Sequence, residues 1–211
     1  MGKIKDSVPI IGVGGATGSG KSAVAHELRK YKATIIDLDN LSRDLSQKGK
    51  QVWKEIVLTF GSGFLDHKGE LQRKKLGRVV FKSWRFLFLL NRISHPILKN
   101  QLKKIILHQP PSAMIVIDGA ILFEAGLIPL VNCLIFVEAP EEQRFIRLSQ
   151  KGLSSDEIRS RMKSQKFISC LRRRSHIIIE NDTTFENLQQ KIALTCQLPI
   201  EKLGHVDDKI R

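Results

Sequence analysis

Long apolar runs are missing from this chain of 211 residues. No segment approaches the roughly eighteen uninterrupted apolar residues that a membrane-spanning helix requires. Cysteine is scarce: Cys133, Cys170 and Cys196 are far apart and form no C-x-x-C pair. An odd count without that spacing excludes a disulfide framework and a zinc site, and predicts reduced structural thiols. Aromatic residues are only 6% of the chain, and no RNP-type aromatic sequence is present. That argues against a base-stacking sheet for RNA. The opening apolar stretch, residues 8–13, stops at glycines and lacks a small-residue cleavage site. It is too short for a secretory signal, so a cytoplasmic location is expected. Acids are absent over residues 71–117.

What is present supports a folded core. Hydrophobic residues make up 42% of the chain, and the length suits one domain with a smaller inserted part. The formal charge of +14 is unevenly spread. The acid-free stretch 71–117 carries ten Lys or Arg residues, and 158–179 carries Arg159, Arg161, Lys163, Lys166, Arg172, Arg173 and Arg174. Such a field favours polyanions: nucleic acid, a membrane surface or phosphorylated small molecules. Charge alone does not choose among them.

Alternating elements follow from the pattern. Strands are predicted over 9–15, 33–37, 113–118, 133–137 and 177–179, and helices over 21–30, 40–47 and 51–60. Residues 61–69 are glycine-rich and predict a loop. Residues 71–107 predict helix in at least two pieces, with Pro96 as a start or kink. Pro140 fits the first turn of a helix whose dipole favours Glu141 and Glu142. Ser154 with Glu157, and Thr183 with Glu186, match the capping box. Phe185, Leu188 and Ile192 line one side of a last helix, and a polar, loose tail follows Leu198. Strands alternating with helices predict a parallel sheet covered on both faces. Trp53 and Trp84 are predicted to pack in the core or at hinges.

Gly15-Ala16-Thr17-Gly18-Ser19-Gly20-Lys21-Ser22 satisfies the phosphate-loop pattern between a predicted strand and a predicted helix. The glycines let backbone N–H groups approach phosphate oxygens, and the helix start adds its free amides and positive dipole end. Lys21 is expected on the β- and γ-phosphates and Ser22 on magnesium. The second strand ends Ile36-Asp37-Leu38-Asp39, followed by Arg43. Ligands of open parallel sheets bind beyond the carboxyl ends of strands. A carboxylate there either takes a proton from an attacking hydroxyl or orders the metal's waters. Asp39 otherwise caps the following helix.

Taken together, these segments resemble the dephospho-coenzyme A kinase family over residues 10–192. Beside the phosphate loop and Asp37-x-Asp39 with Arg43, the resemblance includes Gly69-Glu-Leu-Gln-Arg73, His95-Pro96 and Asp118 through Leu122-Phe123-Glu124. It continues with Arg161 to Gln165 and Asn181. The chain departs from the family at Ala120, where a proline is usual, at Ser175-His176, and at Lys151, where a lid arginine is usual. The lysine keeps charge but loses bidentate reach.

The resemblance implies a three-layer α/β/α P-loop kinase fold with a core at about 8–60 and 112–195. A helical substrate-binding insertion is placed at about 61–110 and a helical lid at about 144–172. It implies ATP at Gly15, Gly18, Ser19, Gly20, Lys21, Ser22, Ala23 and Arg147, with Ser22 on Mg2+. Asp39, Lys21 and Arg147 are the implied catalytic residues, with Asp39 as general base. Asp39, Arg43, Arg73, His95, Glu124 and Gln165 are implied on the acceptor, dephospho-coenzyme A. Arg144 is expected as a surface residue, and Arg172 to Arg174 as an alternative lining for the adenine. Neither nucleic acid nor membrane is expected as a partner, and a monomer is expected. A nucleoside or nucleotide kinase, a nucleic-acid-dependent ATPase and an ATP-dependent switch stay open as rivals.

Overall fold

The computed structural model describes residues 9–110, 113–122, 124–165 and 168–197. The opening residues 1–8, Phe123, Lys166 and the tail from Leu198 lie outside them. Two compact units emerge, one holding the described residues up to Leu38 and from Gln109 onward, the other Asp39–His108. The division falls at residue 39, ahead of the insertion expected from about residue 61.

The first unit is built on five parallel strands among the described residues: β1 (Ile10–Gly15), β2 (Ala33–Asp37), β3 (Met114–Asp118), β4 (Cys133–Glu138) and β5 (Ile177–Glu180). Their order is β2-β3-β1-β4-β5. Every residue of β1 is buried, as a central strand covered on both faces requires, and this is why it reads as a continuous apolar run. Its side chains alternate between two layers. Ile11 and Val13 meet Val24, Ala25 and Leu28 of helix α1 (Lys21–Glu27) and the turn after it, with Leu188 and Ile192 of the last helix (Phe185–Cys196). On the opposite face, a side chain at Gly12 would meet Leu122, Val131 and Leu134, and one at Gly14 would meet Leu171. Three layers result, as predicted.

In the second unit, α2 spans Leu38–Leu45, α3 Gln51–Phe60, α4 Arg73–Val80 and α5 Trp84–Leu107. Leucine 38 itself belongs to the first unit. Val52, Ile56, Leu76, Val80 and Ile97 form this unit's core. The expected start or kink at Pro96 is not where the helical block divides. The division is at residues 81–83, and α5 carries Pro96 inside it. A proline there removes the amide that would bond the Arg92 carbonyl. Both residues are exposed, so water can take that carbonyl, while Ile97, Leu98 and Leu102 stay buried on the other side. Trp53 is half-buried and donates to the Gly69 carbonyl at 3.1 Å, as packing predicted. Trp84 corrects its expectation: it is 74% exposed.

The first unit continues with α6 (Glu141–Gln150), α7 (Ser155–Ser164) and α8 (Ile168–Arg174), and α9 is the last helix, Phe185–Cys196. The capping box at Ser154 and Glu157 is complete. The second box is displaced by one residue: Thr184, not Thr183, caps α9 by accepting from the Asn187 amide. Pro140 sits at the N-cap of α6, one residue ahead of the first turn predicted for it.

Candidate active site

The loop between β1 and α1 occupies the carboxyl end of the central strand, where the chain's crossovers diverge to either side and open α/β sheets bind ligands. Gly20 is the N-cap of α1 at φ 94°, a left-handed conformation that costs other residues free energy. A side chain there would also overlap the Asn181 amide. Gly18, at φ 82°, lets α6 come close, since a Cβ would lie 2.9 Å from the Arg144 carbonyl oxygen. Ser19 donates its amide to the Ala16 carbonyl at 3.0 Å, closing the turn.

What shapes the loop is a set of side chains that hold its carbonyls. Arg144 Nε donates to the Thr17 carbonyl at 3.0 Å. Arg147 Nη1 reaches the Gly18 and Ser19 carbonyls at 3.4 and 3.3 Å. Asn181, at the end of β5, donates its side-chain amide to the Ser19 carbonyl at 2.8 Å. Its own carbonyl accepts from Arg147 Nη2 at 3.1 Å, and Gln143 accepts from the same nitrogen. On the donor side, the Thr17 amide goes to Gln165 Oε1 at 2.9 Å. Carbonyls 17 to 19 are thus all engaged.

This loop fits a polyphosphate. Helix α1 has no side-chain cap and no acid in its first turn. Ala23 and Val24 are the first helical amides to find an acceptor, the Gly20 carbonyl. The amides of Lys21 and Ser22 fall among those a helix start leaves over, and the dipole there favours an anion. Lys21 is half-buried and Ser22 exposed at that end. The Ser19 hydroxyl is fully buried and has no hydrogen-bond partner among the described residues. Ala23 was expected at the nucleotide; its side chain packs against the core and its amide is committed to Gly20 at 2.9 Å.

Arg147 and Gln165 therefore reach the loop's backbone. Arg144, expected as a surface residue, is half-buried against the loop, which corrects that expectation. Arg172 pairs with Glu138 at the end of β4, and that carboxylate holds its guanidinium above the ordinary value. Lys151 is the exposed C-cap of α6. Asp37 ends β2 half-buried, in register with Asp118 of β3, which is buried.

Of the residues implied for the acceptor, Asp39 is exposed in the first turn of α2. The helix already starts at Leu38, so Asp39 is not its cap. Within the second unit, Arg73 Nη2 donates to the Arg43 carbonyl at 2.8 Å. Burial first, and then the charge of Arg43, lower the pKa of Arg73. His95 is half-buried on α5, and Glu124 is exposed on the turn after Leu122. Sequence reasoning missed Arg144 and gave Asn181 no role, because engaging loop carbonyls leaves no mark in the spacing of either residue.

A five-stranded parallel sheet with a phosphate loop on its central strand defines the P-loop kinase class of phosphoryl-transfer proteins. The family profile described as dephospho-CoA kinase matches residues 9–187, and the chain belongs to that family. Among similar proteins, the dephospho-CoA kinase of Carboxydothermus hydrogenoformans is 33% identical over 90% of this chain and 94% of its own. That of Moorella thermoacetica is 36% identical over 80% and 82%. A crystal structure from Thermus thermophilus superimposes with a TM-score of 0.77 at 28% identity, covering 92% of this chain and all of its own (100%). Shikimate kinase from Acinetobacter baumannii shares the fold, with a TM-score of 0.53 at 17% identity over 93% of this chain and 99% of its own.

Proposed function

We propose that the chain phosphorylates the ribose 3′-hydroxyl of dephospho-coenzyme A with ATP, giving coenzyme A and ADP in the last step of coenzyme A biosynthesis. The family match carries the substrate. The observation that carries the chemistry is the uncapped start of α1 behind a loop whose carbonyls are engaged by Arg144, Arg147 and Asn181. With the carbonyls held, and the Thr17 and Ser19 amides already bonded to Gln165 and Ala16, the amides of Gly18, Gly20, Lys21 and Ser22 are left to donate to phosphate oxygens. Lys21 adds a positive charge to the β- and γ-phosphates. Magnesium, held through Ser22, supplies charge neutralisation on the phosphates when bound.

Asp39 takes the proton of the acceptor hydroxyl as it attacks. Its exposed carboxylate, in the first turn of α2, suits a group that must meet a substrate. Arg43 and Arg73 supply the paired positive charge for the acceptor's pyrophosphate, with His95 and Glu124 as further acceptor contacts. Arg147 acts on the transferred phosphoryl through the loop it holds, and Gln165 through Thr17. The lid at about 144–172 and the helical insertion at about 61–110 belong to this reading, as do a monomer and a cytoplasmic location.

The nearest rival is a kinase of nucleosides or nucleotides. A competition assay decides between them: dephospho-coenzyme A and nucleoside monophosphates are offered together with ATP and magnesium, and products are identified by mass. Phosphorylated dephospho-coenzyme A is expected as the main product. Preferential formation of nucleoside diphosphate would overturn the proposal.

A further inference from the structure

The corner between α4 and α5 exposes more aromatic surface than any function so far accounts for. Phe81 is 73% exposed, Trp84 74% and Phe88 57%. Trp84, Phe88 and Arg92 follow at helical spacing and so share one face of α5. Lys82, Arg85 and Arg92 are exposed among them, and no acid occurs from residue 71 to 117. Large exposed apolar groups on a folded protein mark an interaction surface. Their mixing with cations alone narrows what the surface meets.

We propose that this corner docks the protein peripherally on an anionic phospholipid surface. Trp84, Phe81 and Phe88 enter the headgroup boundary, and Lys82, Arg85 and Arg92 meet the lipid phosphates. Aromatic rings beside arginines and lysines are the composition that partitions to that boundary. The absence of a spanning helix among the described residues concerns insertion across a bilayer, not binding at its face. A second copy of the chain fits less well. A two-fold contact would set the same patch against itself, bringing Lys82, Arg85 and Arg92 onto their own counterparts. Single-stranded nucleic acid fits less well too. The Arg85 guanidinium already lies 5.6 Å over the Trp84 ring, on a face that a base would need for stacking.

The test sediments the full chain with vesicles of equal parts phosphatidylcholine and phosphatidylglycerol, and with pure phosphatidylcholine. Binding is expected to the anionic vesicles, to weaken steeply with salt, and to be slight on the neutral ones. The double variant Trp84→Ser/Phe88→Ser is expected to lose about tenfold in partition while its melting temperature stays near wild type, since both side chains are exposed. Arg85→Gln and Arg92→Gln, which leave the apolar surface in place, should each lose about fivefold, equivalent to ~1 kcal/mol per cation. No binding to anionic vesicles, equal binding to neutral ones, or full binding by both sets of variants would overturn the proposal. So would single-stranded RNA bound more tightly than the vesicles and displacing them.

Discussion

Asn181→Ala isolates the hold on the phosphate loop. The substitution removes the buried donor at 2.8 Å from the Ser19 carbonyl and leaves that carbonyl with Arg147 alone at 3.3 Å. The Asn181 backbone carbonyl still holds Arg147, so α6 stays tethered. Leaving a buried acceptor short of its partner costs about 1–3 kcal/mol. Applied to the donor site, this lowers kcat/KM for ATP by roughly 5- to 150-fold. Asn181→Asp keeps the size but turns a carboxylate oxygen toward the Ser19 carbonyl, so its loss should be larger. The assay couples ADP release to a reporter, with ATP varied at saturating dephospho-coenzyme A and then the reverse. KM for the acceptor should stay near wild type, and the melting temperature should fall by about 2–4 °C for each kcal/mol lost. If kcat/KM for ATP stays within about twofold of wild type in both variants, engagement of the carbonyls does not shape the site.

Lys21→Ala should remove nearly all turnover and weaken ATP binding, measured by single-turnover kinetics and nucleotide titration. Asp39→Asn should bind ATP normally and lose rate, and normal turnover would mean that another group takes the proton. The Glu27 carboxylate is held below its ordinary value of 4.5, chiefly by the hydrogen bond from Lys30 and also by Gln189 at 3.0 Å, with burial opposing. A lowered folded-state pKa adds stability that is complete above the unfolded value and is lost as pH falls through the folded one. Urea midpoints of wild type and Glu27→Gln should therefore differ at neutral pH and converge below 4.5. A gap that persists into acid would contradict this.

The parts legible in the sequence are those with a local cause. Continuous apolar runs gave the three inner strands, β1, β3 and β4, since strands buried on both faces have no polar positions to alternate. The edge strands β2 and β5 read as short apolar runs although they are only partly buried. The loop's glycines announced themselves because Gly18 and Gly20 need backbone space that only glycine has. Less local features were missed. The extent of α5 through Pro96 depends on which side of the helix faces water, a tertiary property. Arg144 looked like surface because its partner, Thr17, is 127 residues away. Trp84 carries the composition of a core residue, and only the packing of α4 and α5 shows that it is left outside. The role of Asn181 rests on one backbone carbonyl at the far end of the sheet's connection, which no spacing records.

Phosphorus NMR of the product is the most direct measurement of the central claim. The protein is incubated with magnesium, ATP and dephospho-coenzyme A, and the position of the new phosphoryl group is read from its coupling to the ribose. The account predicts a monoester on the 3′-oxygen, formed one-for-one with ADP and nearly absent with Lys21→Ala. A phosphoryl group on any other oxygen, or ADP released without one, would contradict it.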